Sequence, residues 1–347
     1  MVIEIDGSYR EGGGQILRTA LGLSCLFGKP FRIFNIRRGR RKPGLMPQHL
    51  TCVRAAQLIS GAEVSGDTKG STELLFSPGK VKSGDYFLDV GTAGSTSLVL
   101  HTIIPSLIFS DTISVFTLKG GTHVPFSPSF HYLEGVFAAC LRRIGIETRL
   151  AIDAYGFYPK GGGRVRAEIF PVKTVAPFRN RERGDLLTLR GYSGVGNLPL
   201  SIAERQGNAM MEAIHATPGE FRCAVDIRTQ NVPTPGQGTF LYLQSESANA
   251  VAGFTSLGER GKRAETVGED AAKEFLAYYS TGAAVDPHLA DQLVVYLSLC
   301  QEESVFTASC ITEHLMTNLW TIGLFRACRY SVEGKIGCPG TVIIQGK

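Results

Sequence analysis

The sequence predicts a mixed α/β (α+β) fold in which three repeated β-α-β-α-β-β units form a large domain that carries a smaller α/β insert domain. Three observations lead to this prediction. Segments rich in β-formers alternate with segments of helical periodicity. Glycine accounts for 41 of 347 residues, about 12% against a usual ~7%, and it is concentrated in turns next to helices. Similar glycines also recur about 80 residues apart, which indicates an internal repeat. The matching pairs are Gly14 with Gly94, Gly39 with Gly120, and Gly61 with Gly145.

The first unit is predicted from its turn and its helical periodicity. The turn Gly12-Gly13-Gly14 leads into a segment whose apolar residues at 16, 17, 20, 21 and 23 share one helix face. The remaining segments are a strand within 31–39, a helix at 48–63, and closing strands at 62–66 and 72–79.

The second unit follows the same order. Its glycine turn, residues 91–95, precedes a helix at 96–109. The later segments are a strand at 113–121, a helix at 129–147, and strands at 148–153 and 163–171.

The third unit is predicted to start near Thr281, after the insert. Its segments are a helix at 288–300, a strand at 304–308, a helix at 312–325, and strands at 329–334 and 340–346. The insert contains a strand at 186–194, a helix at 201–219 and a strand at 239–247. The predicted domains are therefore 1–184 with 283–347 for the large domain, and 185–282 for the insert.

Composition excludes several classes of protein. With 36 basic and 31 acidic residues, the net charge of +5 is too small for a polybasic tail that coats nucleic acid. The longest apolar stretch, 98–109, contains His101 and Pro105 and is too short for a membrane span. The N-terminal residues lack the apolar core of a signal peptide. The eight cysteines form no Cys-x-x-Cys pair, so we expect buried, reduced thiols in a cytoplasmic protein and no zinc site.

Two segments are candidates for anion binding. The glycine turn before the first helix can direct backbone N–H groups at an anion, or it can simply be a tight turn. The run 37–42 has five cations in six positions, which favours an anionic partner, although a solvated basic surface is the alternative. Arg18, one helical turn after Gly14, could join this group. Neither a Walker loop nor a dinucleotide-binding glycine pattern is present.

Three polar clusters lie near predicted helix starts. Gln48-His49 can donate hydrogen bonds to a phosphate or ribose, or can cap the helix. His314 occupies the equivalent position in the third unit, where a neutral imidazole can attack phosphorus, although a lone histidine is usually structural. Asp291-Gln292, one turn after His288, suit a sugar hydroxyl or an amine, or belong to a polar helix face.

Together these segments resemble the RNA 3'-terminal phosphate cyclase family. Each motif alone is weak, but their joint order is specific and spans most of the chain, being weakest in the insert. The matching motifs are Glu11-Gly-Gly-Gly-Gln15-Ile-Leu-Arg18, Arg37-x-Gly39-Arg40-x-Lys42-Pro43-Gly44-Leu45, Gln48-His49-Leu50, Gly120-Gly121-Thr122, Phe157-Tyr158-Pro159-Lys160-Gly161-Gly162-Gly163, Leu289-Ala290-Asp291-Gln292 and His314-Leu-x-Thr317-Asn318.

The resemblance implies ATP-dependent conversion of an RNA 3'-terminal phosphate to a 2',3'-cyclic phosphodiester, with release of AMP and diphosphate. It implies that His314 forms a covalent histidine–AMP intermediate and that AMP then passes to the RNA 3'-end. Glu11 would hold Mg²⁺ or Mn²⁺. The terminal phosphates would be bound by Arg18, Arg37, Arg40, Gln48 and His49. The ATP or AMP site would comprise Gln15, His101, Pro125, His288, Leu289, Ala290, Asp291 and Gln292.

Two departures from the family pattern affect the nucleotide site. His101 stands where the family often has Gln, and His288 where it often has Tyr, so nucleotide affinity is expected to differ. The alternative is a non-catalytic ribosome-biogenesis relative, which would lack the nucleotidylated histidine. An enolpyruvyl transferase with the same repeat architecture is a third reading, without matching motifs. The expected partners are RNA 3'-phosphate ends, and no membrane partner is expected. The sequence does not determine the oligomeric state.

Overall fold

A computed structural model describes residues 1–216 and 223–346 of the chain. Within these residues, the strands form four four-stranded sheets, each accompanied by helices. The predicted mixed α/β class is confirmed. The last three residues of the helix predicted at 201–219 lie outside the described residues.

The first sheet has the strand order β1-β2-β4-β3. β1 and β2 are parallel, whereas β4 runs antiparallel to both of its neighbours. The elements are β1 (Ile3–Asp6), α1 (Gly14–Phe27), β2 (Phe31–Phe34), α2 (Pro47–Ser60), β3 (Glu63–Ser65) and β4 (Leu74–Ser77).

The second sheet repeats this arrangement as β5-β6-β8-β7, again with the first pair parallel. Its second helical segment is one α-π-α stretch, because a π-helical turn at Leu133–Phe137 joins α4 to α5. The elements are β5 (Asp85–Asp89), α3 (Thr96–Leu107), β6 (Ser114–Gly120), α4 (Phe130–Tyr132), α5 (Ala138–Arg143), β7 (Thr148–Ala154) and β8 (Gly163–Ile169).

The third sheet begins before the insert, with the two-residue strand β9 (Arg179–Asn180). The prediction that this unit starts near Thr281 was therefore wrong. The insert follows with a sheet of order β11-β10-β12-β13, covered by two helices. Its elements are β10 (Leu186–Gly196), α6 (Leu200–His215), β11 (Ala224–Asn231), β12 (Gly238–Ser247), β13 (Val251–Leu257) and α7 (Ala264–Tyr279). β11, β13 and α7 were not predicted from the sequence.

The chain then returns to the third sheet, whose order β9-β14-β16-β15 matches that of the first two. β9 pairs in parallel with β14, across more than one hundred residues of sequence. The remaining elements are α8 (Leu289–Leu297), β14 (Ser304–Ala308), α9 (Glu313–Phe325), β15 (Cys328–Glu333) and β16 (Gly340–Gly346).

Helix α1 lies among the other helices rather than at the surface. It packs against α2, α3 and α9, which explains its long apolar sequence. A Cβ at Gly22 would come within 2.7 Å of the carbonyl oxygen of Thr102, so glycine here permits close contact with α3. The core is continuous through all three sheets, whereas the insert has a second core built around Met210 and Phe275. This second core supports the proposed division into a large domain and an insert.

Candidate active site

A cavity of about 440 Å³ lies where α1, α3, α8 and α9 meet the segment before α4 and the edge of the insert. This volume is within the range of small-molecule sites. The lining includes seven residues that the sequence assigned to the site: Gln15, Arg18, His101, His288, Asp291, Gln292 and His314. Side chains that are far apart in sequence are thus brought to one cavity.

His314 is placed by the start of α9. The Thr312 side chain caps this helix by accepting a hydrogen bond from the Leu315 N–H at 3.1 Å, which fixes His314 in the first turn. Its Nδ1 lies 3.1 Å from Oε2 of Glu11. Because Nδ1 faces the Glu11 carboxylate, Nε2 is the ring nitrogen that is left for chemistry.

Glu11 links His314 to the run 37–42, called here the basic loop. Its other carboxylate oxygen pairs with the Arg40 guanidinium. The neighbouring Glu11 carboxylate raises the pKa of His314, although burial acts in the opposite direction. Burial alone would raise the pKa of Glu11, but the nearby His314 and the charge of Arg40 lower it. The pair is therefore held as a carboxylate beside an imidazole of increased basicity.

Hydrogen bonds tie α1 to both helices of the third unit. The Gln15 amide donates to Oδ2 of Asp291 at 2.9 Å and to the backbone oxygen of His314 at 3.4 Å. Thr19 donates to the Asn318 side chain at 2.7 Å, and Asn318 donates to the backbone oxygen of Asp291 at 2.7 Å. Burial raises the pKa of Asp291 to about 6, even though the charges of His314, His288 and Arg18 oppose this shift.

Asp286 positions the start of α8. Its carboxylate is fully buried and accepts the backbone N–H groups of His288 at 2.9 Å and Leu289 at 3.0 Å. Tyr132, from the second unit, donates its hydroxyl to the same oxygen at 2.8 Å. Sequence reasoning missed both Asp286 and Tyr132. An aspartate three residues before a helix is a capping signal that could have identified Asp286.

Several buried polar atoms around the cavity have no hydrogen-bond partner among the described residues. They are Nε2 of His101, Oε1 of Gln292 and the hydroxyl of Tyr296. Burial, helped by the charge of Arg18, lowers the pKa of His101 to about 3, so its ring is neutral. Unpaired buried polar groups are costly, and these three are suited to a polar ligand in the cavity.

Two of the residues assigned to terminal phosphates, Arg18 and His49, lie against Gly14 at the N-terminus of α1. A Cβ at Gly14 would lie 2.2 Å from Nε2 of His49, so only glycine permits this contact. Nδ1 of His49 accepts the Met46 N–H at 3.0 Å, and burial together with the charge of Arg18 lowers the pKa of His49 to about 3. This ring is therefore a neutral hydrogen-bond donor through Nε2.

Arg37 and Gln48 are already engaged with backbone. Nη1 of Arg37 donates to the backbone oxygens of Lys42 at 2.8 Å and Gly44 at 2.9 Å, which closes the basic loop. Gln48 donates to the Ser95 oxygen at 3.1 Å, while its Oε1 has no partner among the described residues. These two residues lie outside the cavity lining, as do Glu11, Arg40 and His49.

Three residues assigned to the nucleotide site are also absent from the cavity lining. Leu289 and Ala290 are 1% and 0% exposed and belong to the core beneath α8. Pro125 is exposed, and its neighbour Phe126 lines the cavity instead. Sequence reasoning also missed the lining residues contributed by the insert, which include Thr255 and Glu274.

Three further observations concern the described residues as a whole. None of the helices in residues 1–216 and 223–346 is long and apolar enough to cross a membrane. All eight cysteines are free; Cys25, Cys52, Cys140 and Cys300 are buried, but Cys338 is exposed, contrary to the expectation of buried thiols. In the same residues, no cluster of three or more His, Cys, Asp or Glu side chains is arranged to hold a metal ion.

The fold and the site define a mixed α/β protein with a histidine–glutamate pair at a ligand-sized cavity. A model of the RNA 3'-terminal phosphate cyclase family matches residues 9–332. The RNA 3'-terminal phosphate cyclase of Pyrobaculum aerophilum is 42% identical over 100% of this chain and 99% of its own length. That of Methanopyrus kandleri is 42% identical over 99% of both chains. That of Sulfolobus acidocaldarius is 44% identical over 96% of this chain and 97% of its own. The chain belongs to the RNA 3'-terminal phosphate cyclase family.

Proposed function

We propose that this protein uses ATP to convert an RNA 3'-terminal phosphate into a 2',3'-cyclic phosphodiester, releasing AMP and diphosphate. The observation that carries the proposal is the position of His314 at the cavity wall, with Nδ1 at 3.1 Å from Oε2 of Glu11 and Nε2 on the other side of the ring. The names of the relatives support the reaction class. The same imidazole argues against the alternative of a non-catalytic ribosome-biogenesis relative.

In the first proposed step, neutral Nε2 of His314 attacks the α-phosphorus of ATP. An N–P bond forms, the bond to the β-phosphate oxygen breaks, and diphosphate leaves. The imidazole gains positive charge as the bond forms, and the Glu11 carboxylate 3.1 Å from Nδ1 stabilises that charge. Glu11 thus orients the His314 ring and stabilises the charged imidazole that carries AMP.

In the second step, an oxygen of the RNA 3'-phosphate attacks the same phosphorus, and the N–P bond breaks to restore the neutral imidazole. The RNA 2'-oxygen then attacks the activated 3'-phosphorus, its proton passes to solvent, and AMP leaves. We assign Arg18 and Arg40 to the charge of the phosphates. Arg18 lines the cavity and has no ion pair among the described residues, and Arg40 pairs with Glu11, which lies beside His314. Arg37 is assigned to holding the basic loop in shape.

The residues present fit Mg²⁺ or Mn²⁺ shared with ATP phosphates. Magnesium is commonly held by one or two carboxylates together with substrate phosphates, rather than by a protein cage. Glu11 supplies one such carboxylate, and no three-ligand cluster exists in the described part of the chain. The cation would neutralise phosphate charge. Since Arg40 occupies one oxygen of Glu11, cation binding there would displace this guanidinium.

The proposal is tested by incubating the protein with ATP, Mg²⁺ and an RNA that carries a 3'-phosphate. The expected product is an RNA end that resists phosphatase, formed only with ATP and not from an otherwise identical 3'-hydroxyl RNA. Failure of the 3'-phosphate to become resistant, with Mg²⁺ or Mn²⁺, would contradict the proposed activity.

The role of Arg40 is tested separately with Arg40→Ala. We expect this variant to lose more turnover of 3'-phosphorylated RNA than self-adenylylation, since Arg40 is assigned to the RNA phosphate. Arg41→Ala, which removes an exposed cation from the same loop, is the matched control. Equal loss of both reactions in Arg40→Ala would instead assign the guanidinium to the ATP site.

A further inference from the structure

Phe126, at the cavity rim, has an unusual backbone conformation. Its φ of 62° lies in the left-handed region, which bulky residues rarely adopt because of steric strain. It is the one aromatic residue with positive φ among the residues that the structure describes. Such strain persists only where the surrounding structure imposes it, and it is concentrated at functional sites.

The surrounding chain holds this conformation from both sides. The Ser127 hydroxyl donates to the Val124 backbone oxygen at 3.0 Å, across Phe126. Ser129 accepts the Tyr132 N–H at the start of α4, and its hydroxyl lies 2.8 Å from that of Thr255 in the insert. The segment is therefore fixed to both the large domain and the insert.

The Phe126 ring is exposed to solvent rather than packed against the protein. The residue is 102% exposed, compared with 69% for Tyr158 and 57% for Phe87. None of the ring contacts in the described part of the chain involves it. A fully exposed aromatic ring carried on a strained backbone is available to a flat, apolar partner.

The geometry points to Phe126 as a stacking platform for the base of the 3'-terminal RNA nucleotide. This inference rests on the proposed function and adds a binding determinant to the same site. The buried, unpaired polar atoms lie inside the cavity, where they suit the nucleotide. Phe126 lies at the rim, where a strand with its phosphate near Arg18 and His314 enters. A phenyl ring forms no hydrogen bonds, so it accepts any terminal base.

The experiment uses 3'-phosphorylated RNA with 2-aminopurine as its terminal base, whose fluorescence falls on stacking. Phe126→Ala is expected to abolish the quenching and to raise the KM for RNA by about 5- to 150-fold, the range of base–aromatic stacking. The KM for ATP in self-adenylylation without RNA stays unchanged. Phe126→Trp retains wild-type quenching and KM, and Phe87→Ala is the control for loss of an exposed phenyl ring.

Two results would overturn the inference. One is an unchanged KM for RNA and unchanged quenching in Phe126→Ala. The other is a raised KM for ATP in the absence of RNA, which would place the ring against adenine. Quenching by the wild-type protein without cyclisation would instead contradict the proposed activity and leave the stacking contact supported, so the two failures are distinguishable.

Discussion

Replacing Asp291 by Asn is expected to stabilise the protein and to impair its reaction with ATP. The carboxylate is held in a buried environment that raises its pKa to about 6 from an ordinary value of 3.8. Asparagine removes the charge but keeps an oxygen that can accept the hydrogen bond from Gln15. The substitution therefore isolates the cost of holding a charge at this position.

The magnitude follows from linkage between proton binding and folding. Because the folded-state pKa is the higher one, ionisation of Asp291 lowers stability above pH 6, and this cost disappears as the pH falls towards 3.8. A pKa difference of about two corresponds to about 3 kcal/mol at pH 8. For a chain of this length, that free energy corresponds to a rise in Tm of about 4 °C. About half of the effect remains at pH 5.

The assay is thermal unfolding of both proteins at pH 8 and pH 5, followed by self-adenylylation at pH 8. Asp89→Asn is the control of opposite sign, because the Gly91 N–H and Lys119 lower the pKa of this exposed carboxylate. We expect Asp291→Asn to be more stable and less active, and Asp89→Asn to be slightly less stable. An Asp291→Asn protein with equal or lower Tm at pH 8, or with a gain that does not shrink at pH 5, would refute the reasoning.

Three further changes test neighbouring contacts. Glu11→Gln removes the charge that raises the pKa of His314, so the acid limb of the pH profile of self-adenylylation moves to lower pH. An unchanged acid limb would show that Glu11 does not raise the pKa of His314. Gly14→Ala places a Cβ 2.2 Å from His49 and is expected to destabilise the protein by about 1–3 kcal/mol in denaturant unfolding. Gly323→Ala, in α9 with no atom within 4 Å of the added Cβ, is expected to stabilise it by about 0.5–1 kcal/mol. Similar effects of both alanines would argue against the contact at Gly14.

The predictable parts of the fold are those with strong local signals. Helix α1 combines a glycine turn, apolar periodicity and a left-handed Gly28 at its end, so its position follows from nearby residues. β9 has only two residues, and its partner strand is more than one hundred residues away. No local pattern marks such a strand, because its pairing partner is distant in sequence and meets it only in the folded chain.

The candidate site likewise has a part that the sequence predicts and a part that only the folded structure shows. Of the side chains that the family resemblance assigned to the site, seven line one cavity and the others lie outside its lining. Their hydrogen-bond partners depend on tertiary structure: Arg37 is engaged by the carbonyls of Lys42 and Gly44, which a count of positive charges does not reveal. The exposure of Phe126 is likewise a property of the folded backbone and not of its sequence neighbours.

The most direct test of the proposed chemistry is covalent labelling of His314. The protein is incubated with ATP labelled at the α-phosphate and with Mg²⁺ or Mn²⁺, and it is then separated on a denaturing gel. The account predicts an acid-labile AMP adduct on the wild-type protein that is absent from His314→Ala. No label on the wild-type protein, or undiminished label on the variant, would contradict it.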